Sequence, residues 1–226
     1  MLELENVAYS YGGDDLLTDV NLRLAPGSFH FLTGPSGAGK STILKLCYME
    51  LQPSRGSIRV FDHDIHALTR DEIALSRRRI GVVHQDCQFL DHLTVEENIV
   101  LPLVVARRSV EAQSGNLEDL LNWVGLNHVR QSRPPQLSGG ERQRMALARA
   151  VIMAPDLILA DEPTGNVDWE MSERLLTLLI ELNKMGKSVI LATHDLNLIR
   201  NAKSRVSARV LRIANKELQF AGAELS

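Results

Sequence analysis

Eight residues, Gly34-Pro-Ser-Gly-Ala-Gly39-Lys40-Ser41, have the spacing G-x-x-x-x-G-K-[ST], directly after an apolar segment and directly before a helical pattern. Glycines at these intervals let successive backbone N–H groups curl around phosphate oxygens, and the following helix points its positive end at them. In that frame Lys40 reaches the β- and γ-phosphates and the Ser41 hydroxyl is a Mg²⁺ ligand. A random chain of this length shows the pattern roughly once in a hundred, and the strand-before, helix-after context lowers that further. The pattern alone points to a nucleotide binder, because unrelated ATPases and GTPases share it.

A second chemical pair follows an apolar strand: Leu157-Ile158-Leu159-Ala160 runs into Asp161-Glu162. Acids at the carboxyl end of a buried strand stand where α/β proteins bind ligands. Side chains alternate along a strand, so the two acids take different jobs: Asp161 at Mg²⁺, directly or through water, and Glu162 toward an attacking water as general base. Third, Leu137-Ser138-Gly139-Gly140-Glu141-Arg142-Gln143 reads both as an S-x-x-E capping box for a helix and as an anion site made of bare glycine amides and a hydroxyl.

The elements that must position these residues are legible as alternating patterns. Leu2 to Tyr9, Val20 to Leu24 and Phe29 to Thr33 read as strands, and 41–52 as a helix. Ile80 to Val83, Leu157 to Ala160 and Val189 to Ala192 have the continuous hydrophobicity of buried parallel strands. Between Leu93 and Ala154 the pattern is mostly helical, with a Thr94 capping box, a helix around Leu117 to Val124 closed by Gly125, and a Pro134-Pro135 break. Met171, Leu175, Leu178, Leu182 and Met185 form a stripe of core-packing residues on a long helix, and Val206 to Phe220 reads as a hairpin turning at Asn215-Lys216. The fold class is α/β.

The 226 residues are 44% hydrophobic and 23% charged, the balance of a folded soluble protein. A net charge of -3 lacks the basic footprint of a nucleic-acid binder. Cys47 and Cys87 lack the spacing of a zinc site or disulfide framework, which fits a reducing cytosol. Met1 to Tyr9 lack the pattern of a signal peptide. The longest apolar runs fall well short of the roughly 20 residues needed to cross a bilayer, so a membrane role is expected only through a partner. Asp62-His63-Asp64 with His66 reads as a solvated turn with no metal, and Arg77-Arg78-Arg79 as a solvated helix end or a face toward anionic lipid or an acidic partner.

The Ser138 run, with Gly34 to Ser41, Asp161-Glu162, Gln85 and His194 in the family's order, resembles the ATP-binding cassette (ABC) family over nearly the whole sequence. The resemblance implies a P-loop NTPase (RecA-like) parallel-sheet core with an N-terminal antiparallel β-subdomain and an inserted helical subdomain. One ABC ATPase domain would span 1–226, with 1–87 and 155–226 as catalytic core and 88–154 as helical subdomain. It implies that Mg-ATP is held by Gly34, Pro35, Ser36, Gly37, Ala38, Gly39, Lys40, Ser41 and Thr42, with Tyr11 stacked on adenine. Metal contacts would come from Ser41, Gln85 and Asp161, and catalysis from Glu162, His194 at the γ-phosphate, and Gln85 sensing Mg²⁺ and the attacking water. Ser138, Gly139 and Gly140 would close over the ATP of a second subunit, with Asp168 communicating across that homodimer interface. Read without the family, Tyr11 is a turn aromatic and Gln85 and His194 are polar caps on strand ends. The resemblance further implies an integral membrane partner of permease type, contacted through the segment from Gln85 to Leu103, and a place on the cytoplasmic face of the inner membrane. The Gln85-Asp86 pair with Phe89-Leu90 resembles the family's cell-division branch. Val95 to Leu103 equally resembles ATPases of lipoprotein-release and macrolide-export systems. His84, Cys87-Gln88 and Val167 depart from the usual family residues.

Overall fold

The computed structural model describes residues 1–110, 112, 114–165 and 167–220. Two sheets form its frame. In the first, β1 (Leu2–Tyr9), β2 (Leu17–Leu24), β4 (Arg55–Val60) and β5 (His63–Asp64) lie in the order β2-β1-β4-β5, all antiparallel. The second has the order β10-β9-β3-β8-β7-β6 and uses β3 (Phe29–Thr33), β6 (Ile80–Val83), β7 (Leu157–Asp161), β8 (Ser188–Ala192), β9 (Ala208–Ala214) and β10 (Glu217–Phe220). Five of its strands are parallel, and β10 returns antiparallel on β9 through a turn in which Asn215 and Lys216 have φ of 52° and 69°.

Strands β3, β7 and β8 are buried at every position, which is why they read as unbroken apolar runs. Their two faces feed separate cores. Phe29 and Phe31 point into a core shared with the helices, whereas Leu32 points into a core shared with the antiparallel sheet.

Among the described residues there are seven α-helices: α1 (Lys40–Cys47), α2 (Arg70–Arg77), α3 (Val95–Val105), α4 (Ser114–Val124), α5 (Gly139–Val151), α6 (Trp169–Lys184) and α7 (Leu196–Lys203). Capping boxes start α2 at Thr69, α3 at Thr94 and α5 at Ser138. Residues of α3, α4 and α5 share the first core with the parallel sheet. The close approach of α5 to β6 needs a glycine: a Cβ on Gly81 would stand 2.3 Å from the Ala150 carbonyl oxygen.

Some sequence expectations are corrected here. The helix expected over 41–52 ends at Cys47, since Tyr48 caps it and Met49 takes φ 64°. Arg77 donates from Nε to the Tyr48 carbonyl at 3.1 Å and from Nη2 to that of Met49 at 2.7 Å. Arg79 lies over the Phe61 ring at 3.8 Å and pairs with Asp156 at 2.7 Å. The arginine triplet is an exposed helix end, as expected, and two of its three members also fasten the chain internally. Met185 lies past the end of α6 and is 75% exposed, whereas Leu176, Leu179 and Ile180 are buried, a broader face than the expected stripe. Asp62, His63, Asp64 and His66 are all exposed, as a solvated turn would be, with His63 and Asp64 forming the short β5 and the Asp64 side chain accepting from the His66 amide.

Candidate active site

Four neighbouring strands, β3, β8, β7 and β6, point the same way, so the segments after their carboxyl ends converge on one edge. Gly34 to Ser41 follow β3, His194 follows β8, Asp161 and Glu162 end β7, and Gln85 follows β6. The register holds them level: Leu32 pairs with Ala192, Ala192 with Asp161, and Ala160 with Val83. They line a cavity of about 630 Å³ with Gly34, Pro35, Ser36, Gly37, Gly39, Lys40, Ser41, Thr42, Gln85, Asp161, Glu162 and His194 on its walls. From Gly34 to His194 these residues are separated in the chain by 160 positions.

The loop itself is shaped by left-handed glycines, with φ of 151° at Gly34, 77° at Gly37 and 103° at Gly39. Lys40 Nζ folds back to donate to the Gly34 carbonyl at 2.9 Å and that of Pro35 at 3.2 Å. A phosphate arriving in the loop takes over donors that the backbone now uses. Ala38 does not line the cavity; it packs against the core beneath. Tyr11, 64% exposed, stands outside the cavity wall with its ring edge-on to Tyr9 at 4.8 Å and its hydroxyl 3.2 Å from that of Thr42.

Asp161 is 8% exposed, and burial pushes its carboxyl above the ordinary range, opposed by a hydrogen bond from Ser41 and the charge of Lys40. Ser41, Asp161 and the Gln85 amide present oxygen donors to one wall, the hard set that suits Mg²⁺. Glu162 leaves the strand with φ 46°, a left-handed conformation that a non-glycine residue adopts at a cost on the order of 1 kcal/mol. Its Oε1 lies 2.9 Å from His194 Nδ1. A carboxylate only accepts, so the ring donates from Nδ1. Nothing in the sequence pairs these two residues, 32 positions apart; the neighbouring strands β7 and β8 do.

Ser138, Gly139, Gly140 and Asp168 do not line the cavity. Ser138 and Gly139 are exposed at the start of α5, where the Ser138 amide and hydroxyl donate to Glu141 at 2.8 and 2.7 Å and the hydroxyl accepts from the Glu141 amide at 3.3 Å. These bonds hold the Glu141 carboxyl below its usual range. The Gly139 and Gly140 amides are first-turn donors with no helical acceptor. The capping reading of Ser138 is thus observed, and the anion-site reading needs a ligand from outside this cavity. Asp168 caps α6 by accepting from the Met171 amide at 2.8 Å. The stretch after Gln85 is fastened to α5: Arg142 donates to the Cys87 carbonyl at 3.2 Å and Cys87 Sγ lies 3.3 Å from the Gln143 side-chain Oε1. Leu16 and Gly165 also line the cavity, and sequence reading missed both because neither carries a chemical signal.

Comparison with known proteins agrees with this geometry. The ABC transporter family profile matches residues 17–165. The chain is 44% identical over 220 residues to the cell division ATP-binding protein FtsE of Escherichia coli (strain K12), covering 96% of this chain and 97% of the relative. The FtsE of Bacillus subtilis (strain 168) is 39% identical over 92% of both chains, and that of Streptococcus pneumoniae (strain D39) 36% over 96% of both. Among solved structures, the dimeric post-hydrolysis state of the ATP-binding cassette MJ0796 bound to ADP and Pi superposes with a TM-score of 0.88 at 34% identity, over 98% of each chain. With its phosphate loop, paired acids and capped glycine turn set on this frame, the chain belongs to the ABC transporter family as an ATP-binding and ATP-hydrolysing cassette.

Proposed function

We propose that this chain is the ATPase subunit of an FtsE-like membrane complex in bacterial cell division, working as a homodimer with an FtsX-like integral membrane partner. The observation that carries the reading is the delivery, by four adjacent strands, of the Gly34–Ser41 loop, Gln85, Asp161, Glu162 and His194 to one cavity. Identity of 36–44% to cell-division proteins over almost the whole chain supports the biological assignment.

In this reading the loop amides and Lys40 hold the ATP phosphates, Thr42 flanks them, and Tyr11 stacks on the base. Ser41, Gln85 and Asp161 would hold Mg²⁺, which when bound would supply charge neutralisation for the phosphates. Glu162 takes a proton from water as the water oxygen bonds to the γ-phosphorus and the bond to ADP breaks. His194 orients Glu162 through Nδ1. To donate to the γ-phosphate as well, its ring takes a second proton or turns away from Glu162. Ser138, Gly139 and Gly140 of one copy close over the nucleotide of the other, with Asp168 beside that interface; their place outside their own chain's cavity supports this. The dimeric state named for MJ0796 supports the homodimer. Among the described residues no helix is long and apolar enough to cross a membrane. The chain sits on the cytoplasmic face of the inner membrane by holding its partner.

The test is affinity capture of the Glu162→Gln protein from native membranes with ATP present. Recovery of an FtsX-like membrane protein is the expected result. Recovery of a lipoprotein-release or exporter permease instead would move the chain to the transport branch.

A further inference from the structure

The Ser138 turn has a neighbour to which the mechanism above gives no role. His128 sits in a single 3₁₀ turn, Asn127–Val129, on the chain leading from α4 to α5, and its Nε2 lies 3.0 Å from Glu141 Oε1. A carboxylate only accepts, so the ring donates from Nε2. The other carboxyl oxygen, Oε2, already accepts from the Ser138 amide and hydroxyl at 2.8 and 2.7 Å. Hydroxyl, carboxylate and imidazole thus form one line, with the half-buried carboxylate in the middle and the exposed ring at the far end.

Capping alone does not call for the imidazole. The box that starts α2 has the same shape: the Thr69 amide and hydroxyl donate to Glu72 Oε2 at 2.8 and 2.7 Å, and the Glu72 amide donates back to the hydroxyl at 3.3 Å. In the box that starts α3, Glu97 likewise accepts from the Thr94 amide at 2.7 Å. Among the described residues, neither Glu72 nor Glu97 has a hydrogen bond from a side chain outside its own box. Glu141 has one, from a segment on the far side of the Pro134-Pro135 break.

A hydroxyl has one proton to give, and that of Ser138 is given to Glu141. Phosphate oxygens are acceptors too, so Ser138 donates to a nucleotide only by turning its proton away from the carboxylate, whose negative charge also stands against the phosphate. The bond from His128 lessens both obstacles. It leaves Glu141 with a partner once the hydroxyl turns away, and it draws the carboxylate's charge toward Oε1. We propose that His128 is a positioning residue for the Ser138 turn, acting through Glu141 to release the serine hydroxyl to the phosphate of a nucleotide held by a second copy of the chain. The proposal rests on the homodimer reading above and adds a residue that sets how tightly the two copies close.

The experiment follows the Mg-ATP-driven dimer of Glu162→Gln by light scattering over a range of protein concentrations, with His128 intact, His128→Ala or His128→Gln. His128→Ala is then repeated with Glu141→Gln added. ATP binding to the monomer at low protein concentration and the denaturant midpoint are read for every variant. A two-fold dimer holds two such turns, so His128→Ala is expected to weaken it about three- to tenfold, with monomer ATP affinity and midpoint unchanged. Glutamine carries its amide nitrogen close to where the imidazole Nε2 lies, so His128→Gln should restore the dimer to within about twofold. Beside Glu141→Gln, which removes the carboxylate's charge, replacing His128 should change dimer affinity by less than about twofold. A His128→Ala dimer as tight as its parent, no rescue by His128→Gln, an undiminished effect beside Glu141→Gln, or a midpoint that falls in step with the dimer would each overturn the proposal. Absence of any dimer in Mg-ATP with His128 intact would instead sink the homodimer reading, and this proposal with it.

Discussion

Glu162 and His194 show how a single hydrogen bond divides labour at the residue scale. The 2.9 Å contact fixes the carboxylate's direction from a backbone held at φ 46°, so removing its negative charge should spare binding and stop proton transfer. Glu162→Gln is expected to lower steady-state turnover by about 10² to 10⁴ while nucleotide affinity stays within a few fold, read by phosphate release and by equilibrium binding. His30 is a different kind of residue. It is 1% exposed in the middle of β3, neither ring nitrogen has a hydrogen-bond partner among the described residues, and burial, with Arg209 adding to it, lowers its pKa from 6.5 to about 4. Between those values the unfolded chain binds the proton and the folded one does not, so stability falls as pH drops through this window. The loss should reach about 3 kcal/mol at pH 4 relative to pH 7, from about 1.36 kcal/mol per unit. Urea denaturation at both pH values checks it, and His30→Leu should remove this contribution; an identical slope in that variant refutes the assignment.

At the scale of elements, the joint between Gln85 and α3 depends on a buried amide. Asn98, 0% exposed on α3, accepts from the Leu90 amide at 3.0 Å and donates to the carbonyls of Leu90, Leu93 and Thr94 at 3.1, 3.2 and 2.9 Å. Those groups belong to the loop that carries Gln85 toward the helices, so this side chain holds the loop where helical backbone bonds cannot reach. Asn98→Leu leaves the Leu90 amide and the loop carbonyls without this partner and should cost about 3 kcal/mol of stability, measured by denaturant midpoint. Turnover should fall further than that of an equally destabilised variant far from the Gln85 loop; equal losses would separate the loop from catalysis.

For the whole molecule, strand order decides the assembly. The phosphate loop and the Ser138 turn are both exposed to solvent but do not line one cavity within the chain, which supports the proposal that a second copy closes the nucleotide site. In solution, Glu162→Gln should be a monomer without nucleotide and a dimer with Mg-ATP by light scattering, and should return to monomer in ADP. A persistent monomer in ATP would remove the proposed role of Ser138, Gly139, Gly140 and Asp168.

Local chemistry made the phosphate loop, the strand-end acids and the Thr94 and Ser138 caps legible from residues alone, because each works through neighbours within a few positions. Buried parallel strands declared themselves through unbroken apolar runs, and the Asn215-Lys216 turn through its hairpin pattern. Tertiary structure alone decided what lies beside what. It set Glu162 against His194, ended α1 at Cys47 where Arg77 takes the Tyr48 and Met49 carbonyls, laid Arg79 over Phe61 and beside Asp156, and left Met185 in solvent. Hydrogen bonds and ion pairs between distant segments form only once sheet order brings them within about 3 Å, and no spacing rule along the chain encodes that order.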